Sequence, residues 1–326
     1  EIRRYDGLNQ ANTNDFQTTF AVEHEGDKDW TKGLDVRARM VDRLGVNVLG
    51  SELLTPFSFI QGDIGGFIKK ERPKSEFSME AKFIYKDYDE CVGCGLLGET
   101  LSLTQREFDV RVEEEFTLKE VDRLKQKLTI GVRFRDRQYK DWINYDVLDP
   151  SFDGAGPDPF LPIDSSATYF ARHWQYYIGR VDYTLPLSKF AKIKAALEYT
   201  KRQDVSEGDF SFNQWQPGVY LYVKKEPWNV RLYVSYTIRD YSKRLAQQLT
   251  GAPFPTLSYR YMRANLMVER KVKDNWHLFV DGGVNYRNSN TSAIDTRVRR
   301  SYLNEELMLG IRYKFEKKRK VKKIKE

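Results

Sequence analysis

Residues 302–315 read YLNEELMLGIRYKF, and their alternation decides the fold. Leu303, Leu307, Leu309, Ile311, Tyr313 and Phe315 fall on one parity, while Asn304, Glu306, Gly310, Arg312 and Lys314 fall on the other. Successive side chains of a strand point to opposite faces. The stretch therefore predicts a strand with one apolar and one charged face.

The same pattern recurs upstream. Leu34, Val36, Ala38 and Met40 oppose Asp35, Arg37 and Arg39, and Phe77, Met79, Ala81, Phe83 and Tyr85 oppose Glu80, Lys82 and Lys86. Phe108, Val110 and Val112 oppose Asp109, Arg111 and Glu113, and Leu128, Ile130, Val132 and Phe134 oppose Thr129, Arg133 and Arg135. The second half repeats it around Arg180, Asp182, Lys194, Glu198, Arg231, Arg263, Glu269 and Asp281, each flanked by Val, Leu, Ile, Ala, Met or Tyr on the opposite parity. Phe57–Ile68 is weaker and carries Gly62, Gly65 and Gly66, which suit a bend or a close backbone approach. The connections alternate as well. Short ones (Lys273–Asn275, Lys225–Trp228, Pro186–Ala191) interleave with long ones (Asn288–Arg300, Ser242–Thr256, Asp141–Thr168), and Ser51–Pro56 is a short exception in the long set.

The final strand resembles the closing strand of a bacterial outer-membrane β-barrel, a class whose last strand ends in Tyr-x-Phe and is read by the barrel assembly machinery. Here Tyr313 and Phe315 supply that signal, with the departure that Glu316–Glu326 follow. The resemblance implies an all-β, antiparallel, up-and-down transmembrane barrel in the bacterial outer membrane. Alternating short and long connections are the pattern of such a barrel. The count from Leu34 to Phe315 is about 12 strands, or 14 if the first residues add a hairpin. Three segments are expected: 1–31 as an N-terminal periplasmic segment, plug or first hairpin; 32–315 as the barrel; and 316–326 as a basic periplasmic tail. With twelve strands both termini lie on the short-turn side.

Composition agrees. No stretch approaches the roughly 18 apolar residues of a membrane helix, and mean hydropathy is −0.65 over 326 residues. Low hydropathy is compatible with strands that are apolar on one face only. Tyr and Trp, at 20 and 6 residues, suit membrane interfaces. The formal charge is +7, and residues 316–326, EKKRKVKKIKE, hold most of it, leaving a nearly neutral body. That argues against a nucleic-acid partner. The start at Glu1 reads as a mature chain without its export signal.

In a bilayer the apolar parity must face lipid, because Arg or Lys at the midplane costs about 2–4 kcal/mol. The charged parity then lines the lumen: Arg37, Arg39, Glu80, Lys82, Asp109, Arg111, Arg133, Arg180, Asp182, Lys194, Glu198, Arg231, Arg263, Glu269, Asp281 and Arg312. These form either a filled ion-pair network or a wet, selective wall. Glu114 and Glu305 break the parity and are expected near an interface or at a bulge. Cys91 and Cys94 form a lone CxxC, read as a local disulfide or free pair ahead of a redox or metal role. His24, His173 and His277 have no metal-ligand spacing, so no catalytic, metal or cofactor residue is assigned and no enzyme is expected. The acidic stretch 141–168 reads as a solvated loop, cap or constriction. The expected function is a porin-like channel for small hydrophilic solutes or a specific polymer. The alternative is a non-conducting structural or anchoring barrel in a larger envelope assembly, for secretion or electron transfer. Expected partners are outer-membrane lipid, the assembly machinery, and a periplasmic or cell-surface protein at the tail or long loops.

Overall fold

The structure is a computed structural model that describes residues 2–3, 13–26, 29–43, 59–88, 104–121, 124–143, 171–206, 210–246, 255–273, 275–290 and 302–313. They form one antiparallel sheet in which every strand pairs with its neighbours in sequence. The strands are β1 (Ile2–Arg3), β2 (Thr13–Glu25), β3 (Trp30–Arg43), β4 (Phe59–Glu71), β5 (Ser75–Tyr88), β6 (Gln105–Val121) and β7 (Leu124–Ile143). They continue as β8 (Ala171–Ser188), β9 (Ala191–Asp204), β10 (Phe212–Lys225), β11 (Trp228–Leu245), β12 (Thr256–Lys273), β13 (Trp276–Ser289) and β14 (Tyr302–Tyr313).

Against the expected count of about 12, or 14 with an N-terminal hairpin, the described residues form thirteen long strands plus the two-residue β1, one long strand more than the twelve counted from Leu34. The added strand is β2, which pairs along its length with β3, from Thr13 against Arg43 to Glu25 against Thr31. Its inward face carries Gln17, Thr19 and Ala21 among acids, so its polar parity reads less clearly than that of β3. With β2 in place, the first long strand starts on the long-loop side, not the short-turn side. Strand β4 runs from Phe59, so residues 44–58 separate β3 from β4 and the short exception in the long set disappears. Among the described residues, no ladder joins β14 to β1 or β2.

Connections within hairpins are tight on one side. Ser188 Oγ accepts from the Phe190 and Ala191 amides at 3.2 Å and closes the β8–β9 turn. At the β2–β3 turn the Gly26 amide donates to the Trp30 carbonyl at 2.7 Å. Asp29 there takes φ 63°, a region Asp tolerates better than most side chains.

The burial of the two faces is the reverse of a soluble sheet. Buried polar residues such as Asp63, Glu107, Asp109, Asp182, Ser235 and Glu269 share one face with the predicted lumen charges. Large apolar residues dominate the opposite, exposed face: Leu34, Ile64, Phe83, Val132, Val181, Leu197, Val219, Leu266 and Val280 among them. Soluble proteins bury apolar and expose charged residues. This inversion is what a sheet curled with its charged face inward and its apolar face in lipid requires.

Aromatic rings edge the apolar band at both ends. At the short-turn end stand Trp30, Tyr183, Phe190, Trp228, Trp276 and Tyr313, all exposed. Lys70 Nζ lies 4.8 Å from the Trp30 ring and the Arg270 guanidinium 5.1 Å from the Trp228 ring. At the long-loop end stand Tyr85, Tyr177, Trp215, Tyr236 and Tyr286, with Tyr199 packed on Trp215 at 4.6 Å. Such paired girdles mark the two interfaces of a bilayer. Glu114 fits this frame, because it takes Arg72 of the β4–β5 turn at 3.0 Å, at the short-turn girdle. Glu305 lies opposite Val284 near the long-loop end of β14.

The band generates a test. Val132 is exposed and sits between Val112 and Gly179 in mid-band. Val132→Arg is expected to lower stability in phospholipid vesicles by about 2–4 kcal/mol, read by guanidinium titration. Unchanged stability would mean that this face is not in lipid.

Candidate functional site

Strand register decides which inward charges meet. Arg37 lies opposite Asp63 and its Nε donates to Asp63 Oδ2 at 2.5 Å, while Gln61 Nε2 holds the other oxygen at 2.6 Å. Arg39 reaches back to β2 and grips Asp15 with both arms, at 2.9 and 2.6 Å. Lys82 bonds Glu80 on its own strand at 3.1 Å and reaches Asp35 on β3 at 3.5 Å. That last contact crosses a whole strand. It is open because Gly65 lies between them in the same row. A Cβ on Gly65 would stand 2.8 Å from Asp35 Oδ1 and 2.9 Å from Lys82 Cε.

The densest cluster joins β6 and β7. Asp109 takes Arg133 through both guanidinium arms, with Nε at 2.7 Å, and Arg135 Nε at 3.1 Å. Glu107 takes Arg135 at 3.0 Å and Arg137 at 2.6 Å. Arg133, Arg135 and Arg137 are two residues apart, so a strand puts all three on one face. Arg111 bonds Glu113 at 2.6 Å. On β8 and β9, Asp182 takes Arg180 and Lys194, each at 2.9 Å, and Glu198 stands 4.0 Å from Arg180. At the short-turn end Glu269, 2 % exposed, accepts from Asn229 at 3.2 Å and faces His277 Nδ1 at 3.1 Å, with Arg312 at 4.0 Å.

Asp281 accepts from Asn265 at 3.0 Å, and Arg263 donates to Asn285 Oδ1 at 2.7 Å. Arg231 lies on the same face, opposite Tyr222 and Met267. All sixteen sequence-predicted lining residues therefore fall on one face. Thirteen of them enter ion pairs. Sequence reasoning passed over the partners Asp15 and Asp63, and Glu107 of the β6–β7 cluster, although parity alone puts each on the inward face. It also passed over a cluster at the long-loop end. There Arg202 lies 4.4 Å from both the Trp174 and Phe212 rings, and Arg239 lies 4.5 Å from Phe212. Flanking tyrosines join it, with Tyr241 and Tyr259 in edge contact at 5.9 Å.

The histidines sit apart from one another. His173 is on the outward face at the long-loop end, its Nε2 2.7 Å from Asp136 Oδ2. His277 is inward on Glu269, and His24 is outward at the short-turn end opposite Lys32. Among the described residues no group of three or more His, Cys, Asp or Glu is placed to hold a metal. Tyr313 packs against Trp276 at 5.0 Å. Phe315, Cys91, Cys94, the acidic stretch beyond Ile143 and the tail 316–326 lie outside the described residues.

No protein-family model matches the chain, and no curated protein sequence does. Its fold is similar to that of CdiB from Acinetobacter baumannii, with a TM-score of 0.51 at 9% identity, covering 92% of this chain and 54% of CdiB. It is also similar to the siderophore receptor PirA from Acinetobacter baumannii (TM-score 0.49, 12% identity, 94% of this chain and 49% of PirA). A third similarity is to the RagAB peptide transporter (TM-score 0.43, 10% identity, 86% of this chain and 47% of that one). The chain spans about half the length of the structures it matches. At such identities the likeness is one of fold, and the fold is that of the outer-membrane β-barrels.

The β6–β7 cluster yields a second test. Asp109→Asn would leave Arg133 without its carboxylate and Arg135 with Glu107 alone on a crowded wall. The expected loss is about 1–3 kcal/mol. The double variant with Arg133→Gln should cost less than the sum of the singles, by about 0.5–3 kcal/mol. Strict additivity in a guanidinium titration would remove the pair from the wall's stability.

Proposed function

We propose that this chain forms the wall of a porin-like conduit in the bacterial outer membrane, passing small hydrophilic solutes along its charged face. The observation that carries this reading is the direction of the ion pairs. Among the described residues they run along the wall, joining positions within a strand, on neighbouring strands, or one strand further on, as in Lys82–Asp35. Charges paired along a wall neutralise one another locally and leave the space beyond them to water. A filled barrel would tie its charges across that space. Arg37 and Arg133 keep about a third of their side-chain surface exposed, which suits a wall that faces water. The lipid contact and recognition of the last strand by the assembly machinery through Tyr313 and Phe315 belong to the same reading. So does the tail 316–326 as a docking point for a periplasmic partner.

A second reading, a structural or anchoring barrel inside a larger envelope assembly, is favoured by one observation. The outer edge of β14 makes no ladder among the described residues, and it carries the two most exposed large apolar side chains described, Leu307 at 74% and Leu309 at 70%. Strands of a partner would cover such an edge.

Planar bilayers separate the two. The purified, folded protein is expected to give steady single-channel currents that rise with KCl concentration. Under a KCl gradient, replacing Arg133 and Arg180 by Gln is expected to shift the reversal potential toward cation preference. Silence from protein verified as folded would sink the conduit and favour the anchoring barrel.

A further inference from the structure

The arginines of the inward face fall into two populations. On β3 to β8, Arg37, Arg39, Arg111, Arg133, Arg137 and Arg180 each hold a carboxylate. On β11 and β12 the pairing changes. Arg239 Nε donates to the Gln214 amide oxygen at 2.8 Å and its Nη1 to the Tyr261 hydroxyl at 3.4 Å, and Arg263 Nε donates to the Asn285 amide oxygen at 2.7 Å. Neither makes an ion pair with a described carboxylate. The nearby acid on these strands, Asp240, points outward and is taken by Arg260 at 2.8 Å.

Both arginines line one groove of about 250 Å³ on the inward face, with Gln214, Gln216, Ser235 and Thr237 between and beside them. The register puts Arg239 opposite Tyr259 and Arg263 opposite Ser235. Their backbones are thus four residues apart along the ladder, about 13 Å, and the two long side chains approach the groove from its two ends. The wall between them is made of amides and hydroxyls, groups that both donate and accept. Neutral partners hold each guanidinium in place without cancelling its charge. Guanidinium forks match oxyanions in geometry and in charge.

We propose that this groove is a recognition site for a small hydroxylated oxyanion, of the sugar-acid class. Arg239 or Arg263 takes the carboxylate, and Gln214, Gln216, Ser235 and Thr237 take the hydroxyls. The volume falls just below the range of about 300–1,000 Å³ typical of pockets for drug-sized ligands, which suits one monosaccharide unit. The arginines named above on β3 to β8 each have their charge met by a carboxylate instead. This assignment rests on the reading of the charged face as the lumen wall.

The test uses three hexoses of nearly one size and different charge: D-glucuronate, D-glucose and D-glucosamine. Binding is measured by calorimetry on the detergent-folded protein, a readout that does not need conduction. Glucuronate is expected to bind at least about tenfold more tightly than glucose, one charge-assisted contact's worth, and glucosamine more weakly than glucose. Arg239→Gln/Arg263→Gln should abolish the glucuronate advantage. Arg260→Gln, which removes a guanidinium from the outward face of the same strand as Arg263, should retain it. Ser235→Phe, which fills the groove and leaves both arginines, should also abolish binding. Equal binding of the three hexoses by the unaltered protein would overturn the site whatever the variants do. So would a glucuronate preference that survives the double substitution. Currents in planar bilayers without this preference would discard the groove and keep the conduit, whereas the preference without currents would keep the groove and discard the conduit.

Discussion

Backbone pairing is the constraint on which everything else in this sheet depends. In hydrocarbon an unpaired amide or carbonyl costs several kcal/mol, so a spanning segment must satisfy every one of them from within the protein. From β3 to β13 the chain does so strand by strand, each strand pairing on both sides with its neighbours in sequence. Once that ladder is fixed, side chains have only two directions to take. A one-residue slip anywhere would exchange the faces of a strand and would put a row such as Arg133, Arg135 and Arg137 into lipid. The apolar band and the charged wall are therefore two readings of a single register.

The charged wall follows from the same geometry. Neighbouring strands are about 4.8 Å apart, so an inward carboxylate can meet arginines on its own strand and on either side. Asp109 and Glu107 together serve Arg133, Arg135 and Arg137 in this way. Spacing is adjusted where a side chain is missing. At Gly65 a gap lets Lys82 reach past β4 to Asp35. At Gly310 the ring of Phe279 folds over the bare backbone, where a Cβ would come within 2.6 Å of it, an arrangement that covers strand glycines with an aromatic. Side chains thus lie along the wall. The change from carboxylate to amide partners at Arg239 and Arg263 is chemically abrupt, and it coincides with a stretch of wall lined by the amides and hydroxyls of Gln214, Gln216, Ser235 and Thr237.

Much of this was legible in the sequence because period-two alternation is a local property. Leu34–Met40 or Leu128–Phe134 declares its two faces without reference to any other strand, and the sixteen charged residues named from parity share one face of the sheet. Strand β2 was harder to read, because Gln17, Thr19 and Ala21 make a polar parity of low contrast against Phe16, Phe20 and Val22. Partners were not legible at all. Whether Arg39 meets Asp15 or Arg263 meets Asn285 depends on how far one strand is shifted against the next, and that is set by turns and bulges rather than by either strand's own pattern. The Arg–aromatic cluster at the long-loop end shows the same limit. Arg202, Trp174, Phe212 and Tyr241 come from four strands and converge only through register.

The two edges of the sheet follow from strand parity. Strands β2 and β14 both begin at the long-loop end and both run toward the short turns, since an even number of antiparallel steps separates them. Joined directly, they would be parallel, in a sheet that is otherwise antiparallel throughout. An antiparallel ring needs a strand of opposite direction between them, which is the physical content of the even strand number of bacterial barrels. Strand β1 has that direction: Ile2 pairs with Asn14 and Arg3 with Thr13, antiparallel to β2. It occupies the position next to β2 that a fourteenth wall strand would hold. The exposed edge of β14, with Leu303, Leu307, Leu309 and Ile311 on its outward side, offers the matching half of the pair. Whatever strand meets that edge must run as β1 runs and must turn an apolar face outward, so its orientation and patterning are both set by the sheet itself.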